Sequence, residues 1–205
     1  MKEQFEIFKK YLGGKEENTL TNDEAAMFSA LIWASKSKDP STQVGCAIVN
    51  ERGREVSTGY NGAPNGWDDD DFPWKNNTGD DIKNKRTKNS KYTYVIHAEM
   101  NAIMNYEGQL KDLRGATLYV TLFPCTNCAK LIAQAGIKRI VYLDDRPKEI
   151  DNRCSKHLLK KAGVEYISFF DLKKVEEATI DLDKNMEKHK LKIKRPNETK
   201  NDLNN

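Results

Sequence analysis

Long hydrophobic runs are missing from this chain of 205 residues: no stretch approaches the roughly 20 apolar residues that cross a bilayer. The opening residues, Met1 to Lys10, lack the apolar centre and cleavage site of a signal peptide. No membrane partner and a cytoplasmic location are therefore expected. Cysteine is scarce as well. The four residues, Cys46, Cys125, Cys128 and Cys154, are too unevenly spaced for a secreted disulfide scaffold, and close pairs in a reducing compartment more often bind metal. An excess of one charge is also absent, because 34 basic against 31 acidic residues leave a net +3. That fits a small phosphorylated ligand but does not by itself foretell a nucleic-acid partner.

What is present is enough patterned sequence for one domain. Thr21 and Asn22 are cap residues followed by Asp23 and Glu24, which suit a helix N-terminus; the apolar spacing of Phe28, Leu31 and Ile32 carries this first helix towards Lys38. Two strands, Val44 to Val49 and Arg54 to Tyr60, follow as a hairpin around Asn50–Gly53. Between Gly59 and Tyr94 the residues are glycine, proline, aspartate, lysine and asparagine, so a long and largely irregular loop is expected. Helices after His97, from Cys125 to Ala135 and from Ser155 to Ala162 then alternate with strands at Ala116–Leu122, Ile137–Leu143 and Val164–Phe170. Alternation of this kind predicts an α/β fold with a five-stranded mixed sheet and a parallel βαβ unit. The domain is expected over 21–172, after an N-terminal extension over 1–20. Beyond it, 173–205 should hold a short helix and a basic, disordered tail, since little there can be buried.

Two short motifs carry the chemistry. His97-Ala98-Glu99 opens one helix and Pro124-Cys125-Thr126-Asn127-Cys128 opens another. Each half alone is common, and a lone Cys-x-x-Cys also serves redox chemistry or half a zinc finger. In this order and context they resemble the metal site of zinc-dependent nucleobase deaminases. Residues three apart share a helix face, so Cys125 and Cys128 can present two thiolates to one Zn²⁺, with His97 as third ligand and a fourth place left for water. Glu99 is then the acid and base that moves protons. A closed structural zinc site is the plainer alternative, but it needs a fourth protein ligand and none is adjacent. Cys154 and His157 are three apart on an expected helix; a half-exposed thiol and a solvated imidazole are the simpler reading than a second metal site. Cys46 reads as a core residue.

From Ala25 to Phe170 the chain resembles the deoxycytidylate (dCMP) deaminases of eukaryotes and phages. The likeness rests on Ser37-Lys-Asp-Pro-Ser-Thr-Gln-Val-Gly, Gly59-Tyr-Asn-Gly-Ala-Pro-Asn-Gly, Phe72-Pro-Trp, Tyr94-Val-Ile-His-Ala-Glu-Met-Asn and Leu122-Phe-Pro-Cys-Thr-Asn-Cys. The resemblance implies a three-layer α/β/α cytidine-deaminase-like fold, zinc at His97, Cys125 and Cys128, and conversion of dCMP to dUMP with Glu99 as catalytic acid and base. It further implies a sugar contact from Asn61, although Asn-Gly is also a turn dipeptide, with Ala98 in the same substrate-binding set. Ser35, Lys36 and Lys38 are candidates for the 5′-phosphate, in competition with Arg139 and Arg146. A homohexamer activated by dCTP and inhibited by dTTP is implied too, through a loop containing Gly62, Pro64, Asn65, Gly66 and Asp69. The acidic run Asp68–Asp71 there suits Mg²⁺ accompanying a triphosphate. Other substrates of the same chemistry are dCTP and 5-substituted dCMP. A tRNA or single-stranded DNA deaminase needs a basic, aromatic groove, which the same run of aspartates opposes. A non-catalytic zinc module leaves Glu99 without a purpose.

Overall fold

The computed structural model describes residues 20–75, 88–173, 177–181 and 190–194. A capping box opens the first helix, α1 (Asn22–Ala34): Thr21 accepts from the Glu24 amide, and the Glu24 carboxylate accepts from Thr21 N at 2.7 Å. It ends four residues before the expected Lys38, with Ser35 as its C-cap, so the lysine-rich segment is a turn rather than a helix face. Strands β1 (Gly45–Val49) and β2 (Glu55–Tyr60) form the expected hairpin. Among the described residues, the long loop then contains one isolated bridge, Gly62 to Ile96, and a single helical turn, α2 (Lys91–Tyr94).

Helix α3 (Ala98–Met104), β3 (Thr117–Leu122), α4 (Thr126–Ala135), β4 (Arg139–Asp144), α5 (Ile150–Lys161), β5 (Glu165–Ser168) and the short α6 (Phe169–Lys173) complete the domain. The five-stranded sheet runs in the order β2-β1-β3-β4-β5, antiparallel across β1 and parallel from β3 onward. This is the mixed sheet that the alternating pattern predicts. Helix α5 begins five residues before the expected Ser155, a difference with consequences for the site. An antiparallel pair, β6 (Glu177–Asp181) with β7 (Lys190–Lys194), lies where only a short helix and a disordered tail were expected. The N-terminal extension, Leu20 apart, falls outside the described residues, as does the rest of the tail.

The period of two along each strand sorts the core into two layers. Cys46, Ile48, Leu118, Val120 and Ile140 face one way, onto Ala98, Ala102, Ala129, Ile132 and Leu159 of α3, α4 and α5. Ala47, Val49, Tyr119, Val141 and Leu143 face the other, onto Ala26, Met27 and Ala30 of α1 and Phe169 and Phe170 of α6. Cys46 is thus a fully buried core residue. Two glycines on the hairpin set how closely the helices approach. A Cβ on Gly45 would lie 1.9 Å from the Ala30 carbonyl oxygen of α1, and one on Gly59 would lie 2.4 Å from the Ala98 carbonyl oxygen of α3. Both helices therefore rest on bare backbone. On the site side, this closeness brings the start of α3 down onto the sheet.

Candidate functional site

The starts of α3 and α4 meet, and each is preceded by a residue that does not cap it. His97 and Cys125 stand at the N-cap positions with extended backbone, and neither side chain makes the usual cap bond. Both side chains instead turn to one point. The Nδ1 of His97 lies 3.4 Å from Cys125 Sγ and 3.5 Å from Cys128 Sγ, and the three ligand atoms all fall within 4.8 Å of one another. A tetrahedral Zn²⁺ with bonds of about 2.05 Å to nitrogen and 2.3 Å to sulfur needs N···S separations of about 3.6 Å. The triangle fits that ion, and two thiolates with an imidazole are its preferred donors.

The electrostatics agree with the geometry. The Cys125 thiol is held down to a pKa of about 4, first by a hydrogen bond from the Cys128 thiol and then, against burial, by His97. His97 is raised to about 9, chiefly by its bond to Cys125, while Cys128 is pushed well up by Cys125 and by burial. His97, Cys125 and Cys128 would hold a dication with both sulfurs as thiolates. Glu99, in the first turn of α3 and only 4% exposed, has its pKa raised by burial, with His97 and Cys128 pulling the other way. The group is thus a buried carboxyl beside a metal triangle, in the wall of a cavity of about 410 Å³ that Asn61, Ala98, Phe123 and Arg146 also line.

Residues 20–144 match the family model described as "Cytidine and deoxycytidylate deaminase zinc-binding region". The chain belongs to this deaminase family. It is 42% identical over 170 residues to the deoxycytidylate deaminase of Homo sapiens, covering 82% of this chain and 90% of that protein. To the probable deoxycytidylate deaminase of Drosophila melanogaster it is 43% identical over 175 residues, covering 82% and 81%. Among solved structures, the dCMP deaminase of cyanophage S-TIM5 in complex with dCMP and dUMP superposes with a TM-score of 0.53 at 27% identity, covering 71% of this chain and 95% of that one.

The deaminase cavity has a second buried group that the sequence did not reveal. Lys91 of α2 and Asp39 of the turn after α1 form an ion pair at 2.6 Å, their side chains 4% and 5% exposed. The same Asp39 oxygen accepts from the amides of Ser41 and Thr42, and the other accepts from Asn61 Nδ2. Asn61 spends its second N–H on the Thr42 carbonyl and receives the Val44 amide at Oδ1, which leaves one lone pair on Oδ1 for a ligand. Removing the cation alone strands a buried carboxylate, so Lys91→Met is expected to destabilise the domain by about 3–5 kcal/mol in urea unfolding. The double variant Lys91→Met/Asp39→Asn should recover part of that loss. A destabilisation under about 1 kcal/mol in Lys91→Met would count against the pair as a structural element.

The phosphate candidates lie in different places. Ser35 is exposed and bonds back to the Ile32 carbonyl. Lys36 and Lys38 do not line the metal cavity but a second one, of about 610 Å³. Both lysines follow the end of α1 at Ala34. Arg139 pairs with Asp23 beside Tyr119, on the α1 side of the sheet. Arg146 does line the metal cavity, 47% exposed and 3.4 Å from Thr42 Oγ1. Gly62, Pro64, Asn65, Gly66 and Asp69 all line the second cavity, together with Trp33, Tyr60 and Trp67. There Lys38 pairs with Asp69 at 2.6 Å, and Lys36 lies over the Trp33 ring at 4.2 Å. Cys154 is exposed on α5.

Proposed function

We propose that this chain hydrolyses dCMP to dUMP and ammonia, supplying dUMP for thymidylate synthesis. The observation that carries the reading is the buried Glu99 beside a zinc-shaped triangle of His97, Cys125 and Cys128, in a chain 42% identical to a deoxycytidylate deaminase. His97, Cys125 and Cys128 would hold the ion, and the chemistry it supplies when bound is Lewis acidity, which lowers the pKa of water to about 7. Glu99 takes one proton from the attacking water and holds it in a site where burial favours the protonated carboxyl. It gives that proton to N3 of cytosine, then carries the second proton of the same water, now on the C4 hydroxyl, to the departing amine, so that C4–N breaks, the C4 carbonyl forms and ammonia leaves. Asn61 Oδ1 accepts from the sugar 3′-hydroxyl, and Ala98 forms cavity wall against the base.

Arg146 takes the phosphate in this reading. It and Lys91 are the Lys and Arg side chains lining the metal cavity among the described residues, and Lys91 is already spent on Asp39. Arg146→Ala should raise KM for dCMP at least tenfold and leave deoxycytidine turnover unchanged, since a charge-assisted bond to phosphate is worth about that much. Equal effects on nucleotide and nucleoside would remove Arg146 from the phosphate site.

We further infer that the second cavity is a regulatory site for dCTP and dTTP in a cytoplasmic homohexamer. Supporting it are the five loop residues in its wall, two lysines for a triphosphate, aromatic rings for a base, and Asp69 as a carboxylate for accompanying Mg²⁺. In dCMP saturation curves dCTP should remove sigmoidicity and dTTP deepen it, because each must favour a different state. Simple competition by both, in a protein that sediments as a monomer, would overturn the regulatory reading and leave the deaminase chemistry standing.

A further inference from the structure

Metal ligands placed at helix starts create a problem that this fold answers locally. The first amides of a helix have no partner inside it, and Ser, Thr, Asp or Asn at the N-cap normally accepts from them. Before α4 that position belongs to Cys125, whose side chain makes no cap bond. The missing acceptor comes from another helix. Asp151 of α5 accepts from the Thr126 amide at 3.0 Å, and the Thr126 hydroxyl donates to the Asp151 carbonyl at 3.0 Å. One turn further along α5, the fully buried Ser155 donates to the Pro124 carbonyl at 2.7 Å. Asp151 and Ser155 are four apart and share a face of α5. Their three bonds bracket Cys125, one on the residue before it and two on the residue after.

The start of α5 is itself tied down. Asn152 and Lys156 both bond to the Asp145 carboxylate at the end of β4, so the gripping face is fixed to the sheet. The ordinary explanation for Asp151 is an acid in the first turn, favoured by its own helix dipole. That leaves unexplained why its carboxylate engages the amide of a different helix, at a residue that adjoins a metal ligand.

We propose that α5 is a clasp for the metal-ligating turn, with Asp151 and Ser155 as positioning residues that hold Cys125 in place to bind zinc. The proposal rests on the reading of His97, Cys125 and Cys128 as the zinc site. It belongs to the class of outer contacts whose loss costs metal affinity about tenfold or more, and it differs from the usual member of that class in gripping backbone rather than a ligand side chain.

The test loads the full-length chain with zinc, confirms one ion per chain, and follows transfer of the metal to a chromophoric chelator. Asp151→Ala/Ser155→Ala should release zinc at least tenfold faster. Its kcat should fall at least threefold, with KM for dCMP unchanged. Asp151→Asn, which keeps an acceptor oxygen, should stay within twofold of the unmodified protein in both measurements. Asp151 is exposed, so Asp151→Ala alone carries the test at a threefold faster release if the double variant does not fold. Release within twofold of the unmodified rate, with only the melting temperature lowered, makes α5 ordinary packing and overturns the clasp alone. Failure of the unmodified protein to bind zinc overturns the metal reading and the clasp together.

Discussion

Glu99→Gln is expected to fold, to bind zinc at full stoichiometry and to lose at least about a thousandfold in turnover of dCMP. The amide has nearly the shape of the carboxyl it replaces, so the packing of a side chain only 4% exposed is kept. What it cannot do is accept a proton from water and return it to the base, a role worth about a hundredfold to ten-thousandfold in rate. A thousandfold loss corresponds to about 4 kcal/mol of transition-state stabilisation. Initial rates on dCMP, set beside metal analysis of the same sample, provide the measurement. Turnover within tenfold of the unmodified protein would remove Glu99 from the mechanism.

Cys125→Ala should fail differently, by losing the metal itself. The Cys125 thiol is held down to about 4 by Cys128 and His97, which favours the thiolate that binds metal. Its loss leaves two donors and opens one face of the triangle. Zinc should bind at least about a hundredfold more weakly. Activity should fall with the metal content, and the melting temperature should fall because the ion no longer joins α3 to α4. Stoichiometric zinc in this variant, after dialysis against a mild chelator, would sink the ligand assignment.

The contrast between these two variants follows the boundary of what the sequence made legible. The metal motif could be read because its spacing is local: Cys125 and Cys128 are one helical turn apart, and His97 and Glu99 flank a single residue. The strands were legible because their side chains alternate between two buried layers. Asp39 with Lys91 was invisible for the opposite reason. Its members lie 52 positions apart in polar segments where a charge ordinarily faces water, and no periodicity marks them. The start of α5 was missed because Ile150 to Cys154 carries one buried residue, Asn152, and its polar face is spent on the metal turn rather than on apolar packing. Lys36 and Lys38 line a cavity other than the metal one, a placement that local spacing does not carry. The sequence shows them beside the first helix but not where that helix stops, at the C-cap Ser35.

The bare backbone at Gly45 and Gly59 has a mechanical meaning. Side chains between a helix and a sheet act as a compliant layer that rotates and absorbs small displacements. At these two positions that layer is missing, and each helix sits against a hard stop on opposite faces of one hairpin. Glu99 rides at the start of α3, and Trp33 of the second cavity stands near the end of α1. The height of each above the sheet is therefore fixed by main-chain contact, and any movement of one helix towards the hairpin is met by β1 and β2 themselves rather than taken up in between.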